Sequence, residues 1–94
     1  MFRLILTREV QKVLDDLERS PRRLRRVRKA LAQLESDPRH PGLNSHQFHT
    51  LHGPFGETIL ESYVENQTPA AWRIWWYYGP DQGAITIIAL GEHP

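Results

Sequence analysis

The chain has 94 residues, of which 39% are hydrophobic and 24% are charged, and its net charge is +1. This composition is typical of one globular domain, here residues 1–94, with a core of modest size. Cysteine is absent, which excludes disulfides and thiolate metal sites and favours a cytoplasmic location. No apolar run approaches the length of a membrane span or a signal peptide, so we expect no membrane association.

Charge is divided unequally along the chain. Residues 1–39 carry 11 basic and 6 acidic side chains, whereas residues 40–94 carry 1 basic and 5 acidic ones. Such segregation predicts a basic surface for a polyanion and a separate, nearly neutral pocket.

The first half predicts a short strand followed by an αα-hairpin. Residues 2–6 are typical of a strand, and Thr7 is placed to cap a helix that runs to residue 19. Ser20 and Pro21 end this helix and begin a second one to about residue 36, because serine caps helices and proline suits their first position. The residues that the second helix is expected to bury are Leu24, Val27, Leu31 and Leu34.

The second half predicts a β-meander. Residues 37–56 are rich in proline and glycine and are expected to be loop-like. Three strands follow at hairpin spacing, at residues 57–65, 71–78 and 84–91. The predicted class is therefore α+β, with a short first strand, an αα-hairpin, and a three-stranded antiparallel meander that carries both helices on one sheet face.

Strand alternation divides the meander into two faces. If the turns are symmetric about Thr68 and Asp81, Tyr63 lies opposite Arg73, and Arg73 lies opposite Ala89. The face that covers the helices then carries Leu60, Val64, Trp72, Ile74, Trp76, Tyr78, Ile88 and Leu90. The other face gathers Glu61, Tyr63, Arg73, Trp75 and Tyr77, and His93 continues it beyond the last strand.

Arg73 is the only lysine or arginine after residue 39, and it lies within an aromatic strand. A guanidinium stays charged, so it needs a carboxylate, a phosphate or water as its partner. It could form a cross-strand ion pair with Glu61 or Glu65, or it could bind an anion in a cleft. Exposed ion pairs add little stability, which favours the anion site.

The order of elements and three short motifs resemble the RelE/ParE toxin superfamily. The motifs are Leu51-His52-Gly53 before the strand at residues 59–64, the aromatic strand around Arg73, and a last strand that ends in Gly91-Glu92-His93. RelE-type members are ribosome-dependent mRNA endonucleases held inactive by an antitoxin. ParE-type members share the fold and act on DNA gyrase.

The resemblance implies a role for each polar residue of the meander. Arg73 matches the arginine that contacts the scissile phosphate, and Glu61 and Tyr63 match catalytic positions on the preceding strand. His93 matches a terminal general acid. The sequence departs from RelE itself, which has lysines where Glu61 and Tyr63 stand here, and no tyrosine follows His93.

These residues suit metal-independent RNA cleavage by the neighbouring 2′-hydroxyl. Glu61 or a loop histidine could act as the base, with Arg73 stabilising the transition state and His93 as the acid. Tyr63 and Trp75 could stack on bases or fill a core. Glu61 could instead only pair with Arg73, and His93 could be an unstructured terminal residue.

Three histidines, His46, His49 and His52, recur at three-residue spacing, which invites a zinc interpretation. The surrounding loop offers no acidic ligand nearby, so we expect no metal. We expect instead that His46 or His49 lies at the rim of the site and contacts RNA.

Four cations form one stripe of the second helix: Arg22, Arg25, Arg26 and Lys29. They could be a solvated face, or they could contact RNA phosphates or an acidic antitoxin. The expected partners are a small acidic cognate antitoxin, the ribosome and mRNA, with no cofactor. The alternatives are a ParE-like, non-enzymatic gyrase inhibitor and an interaction module that has lost toxicity.

Overall fold

The computed structural model describes residues 1–66 and 68–93. These residues form two α-helices and one five-stranded sheet of order β1-β5-β4-β3-β2. The elements are β1 (Arg3–Leu6), α1 (Arg8–Asp16), α2 (Pro21–Ser36), β2 (His46–His52), β3 (Thr58–Tyr63), β4 (Trp72–Tyr78) and β5 (Ala84–Glu92), with short 3₁₀ turns at Leu17–Arg19 and Pro41–Leu43. Both helices pack on one sheet face, which confirms the predicted α+β class.

The two helices begin where the sequence predicts, for different physical reasons. The Thr7 side chain accepts a hydrogen bond from the Val10 N–H at 3.3 Å and caps α1. The Ser20 side chain makes no capping hydrogen bond, so that part of the prediction is wrong. Pro21 begins α2 with its fixed φ, and the Ser20 carbonyl accepts from the Leu24 N–H at 2.9 Å.

The prediction that residues 37–56 are loop-like is wrong, because β2 lies within them. This strand pairs antiparallel with β3, with His46 opposite Glu61 and Gln47 opposite Leu60. Nearly all its side chains are exposed, so its sequence lacks the alternation of a half-buried strand. Its formation depends on main-chain hydrogen bonds to the edge of β3. The antiparallel part of the sheet therefore has four strands, and β1 pairs in parallel with β5 at the opposite edge.

The register between β3 and β4 is the predicted one, with Tyr63 opposite Arg73. The predicted register between β4 and β5 is wrong, because Arg73 lies opposite Gly91 rather than Ala89. The register shifts between Trp75 and Trp76, since a bulge adds one residue to β5. Arg73 still shares a face with its partner on β5, as predicted. Gly91 lies two residues beyond Ala89, and side chains two residues apart on a strand point to the same side of the sheet.

Because of the bulge, some side chains of β5 lie on the sheet face opposite to the predicted one. Ile88 was expected beneath the helices, but it packs with Ala89 on the other side of the sheet. Ile85 and Ile87 fill the helix side instead. The helix-side core consists of Val10, Leu17, Leu24, Val27, Ala30, Leu34, Leu43, Ile74, Trp76, Ile85, Ile87 and Leu90, with Leu31 half-buried against it. A second, smaller cluster on the opposite face is built from Ile59, Trp75 and Tyr77.

Candidate active site

A buried carboxylate lies between two imidazoles on the face of the sheet that the helices leave free. Glu61 on β3 is only 2% exposed. Its Oε1 lies 2.9 Å from His46 Nε2 and 3.6 Å from His93 Nε2. We call His46, Glu61 and His93 the histidine–glutamate cluster. Both imidazoles are about half-exposed, so they separate a buried acid from solvent.

The hydrogen bonds of His46 fix where its protons lie. Its Nδ1 is 2.9 Å from the Asn44 carbonyl oxygen. A carbonyl can only accept, so Nδ1 carries a hydrogen in this contact. The contact of Nε2 with Glu61 then needs a second proton, held by the imidazole or by the carboxyl. His46 is thus held from both sides, by the Asn44 carbonyl and by the Glu61 carboxyl.

His93 is held by its main chain after the end of β5. Its N–H donates to the Ala71 carbonyl at 2.9 Å, which continues the antiparallel ladder beside β4. The alternative of an unstructured terminal residue is therefore wrong. This hydrogen bond positions the imidazole beside Glu61, as the alternation of the strand predicts.

Arg73 lies on the same free face, but it is less exposed than we expected for a displayed anion site. The residue is 8% exposed, and its Cζ lies 3.7 Å from the centre of the Tyr63 ring. Its NH1 donates to the Glu65 carbonyl at 2.6 Å and to the Trp72 carbonyl at 3.1 Å. Among the described residues no carboxylate forms an ion pair with it, so the proposed pairing with Glu61 or Glu65 side chains is wrong.

Gly91 leaves open space beside Arg73. The two residues are directly opposite in the register of β4 and β5, so a side chain at position 91 would share the face of Arg73. A Cβ atom added to Gly91 would meet no atom within 4 Å. The Arg73 Nε is buried and has no hydrogen-bond partner among the described residues. The guanidinium is thus covered by Tyr63 on β3, while Gly91, opposite Arg73 on β5, leaves space for a side chain on the same face.

Glu65 engages part of the basic stripe of α2. Its Oε2 accepts from Arg23 Nε at 3.1 Å and from Arg26 NH1 at 3.2 Å, and its Oε1 accepts from the Trp72 N–H at 3.2 Å. Burial raises the pKa of Glu65, but these hydrogen bonds outweigh it, and the net shift of the pKa is downward. Arg26 therefore has a structural partner, whereas Arg22, Arg25 and Lys29 form no ion pair among the described residues.

The remaining predicted RNA contacts divide between buried and exposed positions. Trp75 is 7% exposed and packs against Phe48 with ring centres 6.0 Å apart, which favours the core interpretation. Tyr63 is half-buried between Arg73 and the edge of the His46 ring. His49 is exposed on β2, and within the described residues it makes no hydrogen bond or ion pair with the histidine–glutamate cluster.

Three residues around the site have roles that sequence reasoning missed, namely Asn44, Glu65 and Gly91. Asn44 adopts a left-handed backbone conformation that directs its carbonyl to His46. Gly91, next to Glu92 and His93, could have indicated open space in the site, because a strand seldom carries glycine without a local reason.

In the described part of the chain, no group of three His, Cys, Asp or Glu side chains is arranged to hold a metal ion. No helix there is long and apolar enough to cross a membrane.

The fold is that of RelE-like toxins. The archaeal RelE–RelB complex from Pyrococcus horikoshii contains a chain that matches with a TM-score of 0.68 and 17% identity, over 97% of this chain and 93% of that one. A copper-bound mutant toxin from Helicobacter pylori matches with a TM-score of 0.67 and 17% identity, over 99% and 96%. No protein-family model and no curated protein sequence matches this chain.

Proposed function

We propose that this chain is the toxin of a toxin–antitoxin system and cleaves mRNA on the ribosome through the 2′-hydroxyl of the substrate, without a metal. The observation that carries the proposal is the histidine–glutamate cluster on the same sheet face as Arg73 and the open space at Gly91. The face combines a carboxylate, an imidazole and a guanidinium, which are the groups that phosphodiester transesterification needs.

In this mechanism the scissile phosphodiester lies in the space beside Gly91. The guanidinium of Arg73 stabilises the charge that grows on the phosphoryl oxygens as the 2′-oxygen bonds to phosphorus. Glu61 takes the 2′-hydroxyl proton: its Oε1 contacts both imidazoles, and its Oε2 is buried without a hydrogen-bond partner among the described residues, so the substrate must reach it from beside the cluster. His93 gives a proton to the departing 5′-oxygen, which leaves a 2′,3′-cyclic phosphate and a 5′-hydroxyl.

His46 supports this chemistry rather than contacting RNA at the rim. Both of its ring nitrogens are engaged, by the Asn44 carbonyl and by Glu61. Its contact with Oε1 holds the carboxylate of Glu61 in a fixed position.

We further propose that an antitoxin binds and controls this chain, because the Pyrococcus horikoshii chain that it resembles in fold belongs to a RelE–RelB complex. A small acidic partner suits the basic first half of this sequence. The ribosome and mRNA are the other proposed partners, through the exposed cations Arg22, Arg25 and Lys29.

The test is induction in a bacterial host, followed by mapping of mRNA 5′ ends on ribosomes. We expect wild type to create new ends, and Arg73→Ala to reduce them roughly 100-fold. His93→Gln provides a second variant that leaves the Arg73 environment intact, and Arg8→Ala is a control at an exposed arginine of α1. Full cleavage by a folded Arg73→Ala protein would contradict the proposal.

One observation favours the ParE-like alternative, or a module of the same fold without toxicity. Arg73 is 8% exposed and two carbonyls already accept from its NH1, which also suits a purely structural role. A gyrase inhibitor would induce DNA-damage signalling, leave mRNA uncut and tolerate His93→Gln. A detoxified module would be harmless when the wild-type protein is expressed.

A further inference from the structure

Two hollows lie side by side on the helix face of the sheet, at the end of β4 that is remote from Arg73. The first hollow, of about 510 Å³, is lined by Leu60, Trp76 and the loop that follows α2. The second hollow, of about 380 Å³, is lined by Phe2 and the turn between β4 and β5. Tyr78 belongs to both linings, so its ring is the ridge that separates the two hollows.

Strand alternation and ring contacts agree on the face to which these side chains point. Trp76 lies opposite Leu60 in the register of β3 and β4 and belongs to the helix-side core, against which Leu60 and Phe2 pack. The centre of the Tyr78 ring lies 4.9 Å from that of Trp76 and 5.7 Å from that of Phe2. An occupant of the hollows would therefore lie on the sheet face opposite to the histidine–glutamate cluster.

Tyr78 is the exposed member of this aromatic row. Trp76 is 1% exposed, whereas Tyr78 is 46% exposed. A half-exposed ring between two hollows offers apolar area that a partner can bury. An extended peptide places every second side chain on the same side, about 7 Å apart. Two apolar side chains of such a peptide can therefore lie on either side of Tyr78.

The first hollow has an unpaired guanidinium at its rim. Arg39 lines this hollow and is exposed, and among the described residues its side chain forms no hydrogen bond or ion pair. The Asp37 carboxylate is close by, but its Oδ1 accepts from the main-chain N–H of Arg39, at 3.1 Å. Asp81, which lines the second hollow, is already paired with Arg3 at 3.1 Å. The unpaired positive charge is thus at the first hollow and favours a carboxylate there.

The phenol of Tyr78 lies near this charged rim. Burial raises the pKa of Tyr78, while the positive charge of Arg39 acts to lower it and the negative charge of Asp37 acts to raise it. The guanidinium and the aromatic ridge are therefore close enough for one short peptide to contact both. One cation beside apolar walls suits an acidic peptide better than RNA, whose binding depends on several phosphate contacts.

We propose that the two hollows bind an extended, acidic segment of the antitoxin. A carboxylate of this segment meets Arg39, and two apolar side chains, two residues apart, lie on either side of Tyr78. The assignment of the segment to an antitoxin rests on the function proposed above. Because the hollows and the histidine–glutamate cluster are on opposite faces, this segment anchors the antitoxin without itself covering the cluster.

The experiment titrates the full-length, ¹⁵N-labelled protein with three capped tetrapeptides and follows the backbone amides by NMR. The first peptide is glutamate–leucine–serine–leucine, the second has glutamine in place of glutamate, and the third has serine in place of both leucines. We expect the first peptide to shift amides at residues 39–45 and 76–84 but not those at 91–93. It should bind roughly fivefold to tenfold more tightly than either of the others.

Two pairs of variants separate the charged contact from the apolar one. Arg39→Gln should raise the Kd of the first peptide roughly fivefold and remove its advantage over the second, whereas Arg8→Gln, at an exposed arginine of α1, should change neither. Tyr78→Thr should raise the Kd of the first and second peptides roughly tenfold. Phe55→Thr removes an aromatic side chain that is 89% exposed and lines neither hollow, so it should leave both Kd values unchanged. Arg39→Gln alters only an exposed side chain, so the test stands even where Tyr78→Thr does not fold.

Four outcomes would overturn the proposal. The first is no shift at these amides. The second is equal binding of the glutamate and glutamine peptides to wild type, which would make the surface a general apolar contact. The third is tighter binding of oligouridylate than of the first peptide at the same amides, which would assign the surface to RNA. The fourth is a concentration-dependent change at these amides without peptide, which would assign it to a second copy of this chain.

Failure of the docking surface and failure of the proposed function give different results. If the first peptide binds as expected but induction produces no cut mRNA, the nuclease proposal fails and the peptide site remains. If mRNA is cut in an Arg73-dependent manner but the amides do not respond to peptide, the nuclease proposal remains and the antitoxin binds elsewhere.

Discussion

At the scale of single residues, Arg73 obtains its partners from main-chain carbonyls and an aromatic ring. Its NH1 reaches the Glu65 and Trp72 carbonyls, and its Cζ stacks over Tyr63. A lysine at this position would lack the planar group that stacks and donates at once. On the other neighbour of β4, Gly91 lies directly opposite Arg73, and a Cβ added there would meet no atom within 4 Å.

Gly91→Val tests whether that space admits substrate. Valine suits a strand and would meet no atom at its Cβ, so the free energy of unfolding should stay equal or rise by up to about 1 kcal/mol. Cleavage should fall, because the side chain fills the space beside Arg73. Urea unfolding and ribosome-bound 5′-end mapping measure the two effects.

Gly91→Ala is the matched control, since its single methyl group fills less of the space. We expect its cleavage to lie between those of wild type and Gly91→Val. A stable Gly91→Val protein that cleaves as fast as wild type would place the substrate elsewhere.

At the scale of elements, buried polar side chains join β3 to its neighbours on both sides. On the helix side, Ser62 accepts from the Trp76 Nε1–H at 2.7 Å and lies 2.6 Å from the Ser45 hydroxyl. Further along the chain, Glu65 joins α2 to the start of β4. These contacts fix the end of β3 from which Glu61 and Tyr63 project.

Ser62→Ala should destabilise the protein by about 1–3 kcal/mol, because the buried indole N–H of Trp76 loses its acceptor. For a domain of this size the melting temperature falls by roughly 4–8 °C per kcal/mol, which calorimetry can measure. Ser45→Ala removes only the second hydroxyl and should cost less. Equal losses in the two variants would show that the indole contact is not the main contribution.

Glu65→Gln should lower the free energy of unfolding by about 1–3 kcal/mol at neutral pH, since it loses the charge that pairs with Arg23 and Arg26. The pKa of Glu65 is lowered from its ordinary value of 4.5, so its stabilisation is fully present above that pH. It is lost as the pH falls through the folded-state pKa below 4.5. The difference between wild type and variant should therefore shrink only in acid.

Urea unfolding at a series of pH values measures this difference. Glu18→Gln is the control, because Glu18 is exposed and has no ion pair among the described residues. A difference between wild type and Glu65→Gln that persists undiminished in strong acid would argue against the lowered pKa.

At the scale of the whole molecule, the sheet has a protected centre and an exposed edge. β4 and β5 each have a hydrogen-bonded strand on both sides, and the helix-side core covers them. β2 has one neighbour, β3, and its side chains are mostly exposed. Opening of β2 therefore exposes little apolar surface, whereas opening of β4 disrupts both clusters.

Amide hydrogen exchange should follow this order. We expect the amides of β4 and central β5 to exchange only through global unfolding, and those of β2 to exchange at least about tenfold faster. Mass spectrometry of peptides from the two regions measures the rates. Protection of β2 equal to that of β4 would mean that the edge strand unfolds together with the core.

The sequence by itself determined the local features of this protein. Period-3.6 and period-2 patterns gave the helices, their buried faces and the sheet face of Arg73, and the short turn after β3 set Tyr63 opposite Arg73. These features depend on residues that are close together in the sequence. Part of the proposed site, namely Glu61, Arg73 and His93, could be predicted for this reason.

Only the tertiary structure decided the pairings between distant segments. The exposed β2 strand, the bulge that moves Ile88 to the other face, and the capture of Arg26 by Glu65 depend on groups that the sequence pattern does not connect. Main-chain hydrogen bonds along an edge carry no side-chain signature, and an ion pair across 39 residues has no periodicity. For the same reason, the covering of Arg73 by Tyr63 and the open space at Gly91 emerged only from the folded chain.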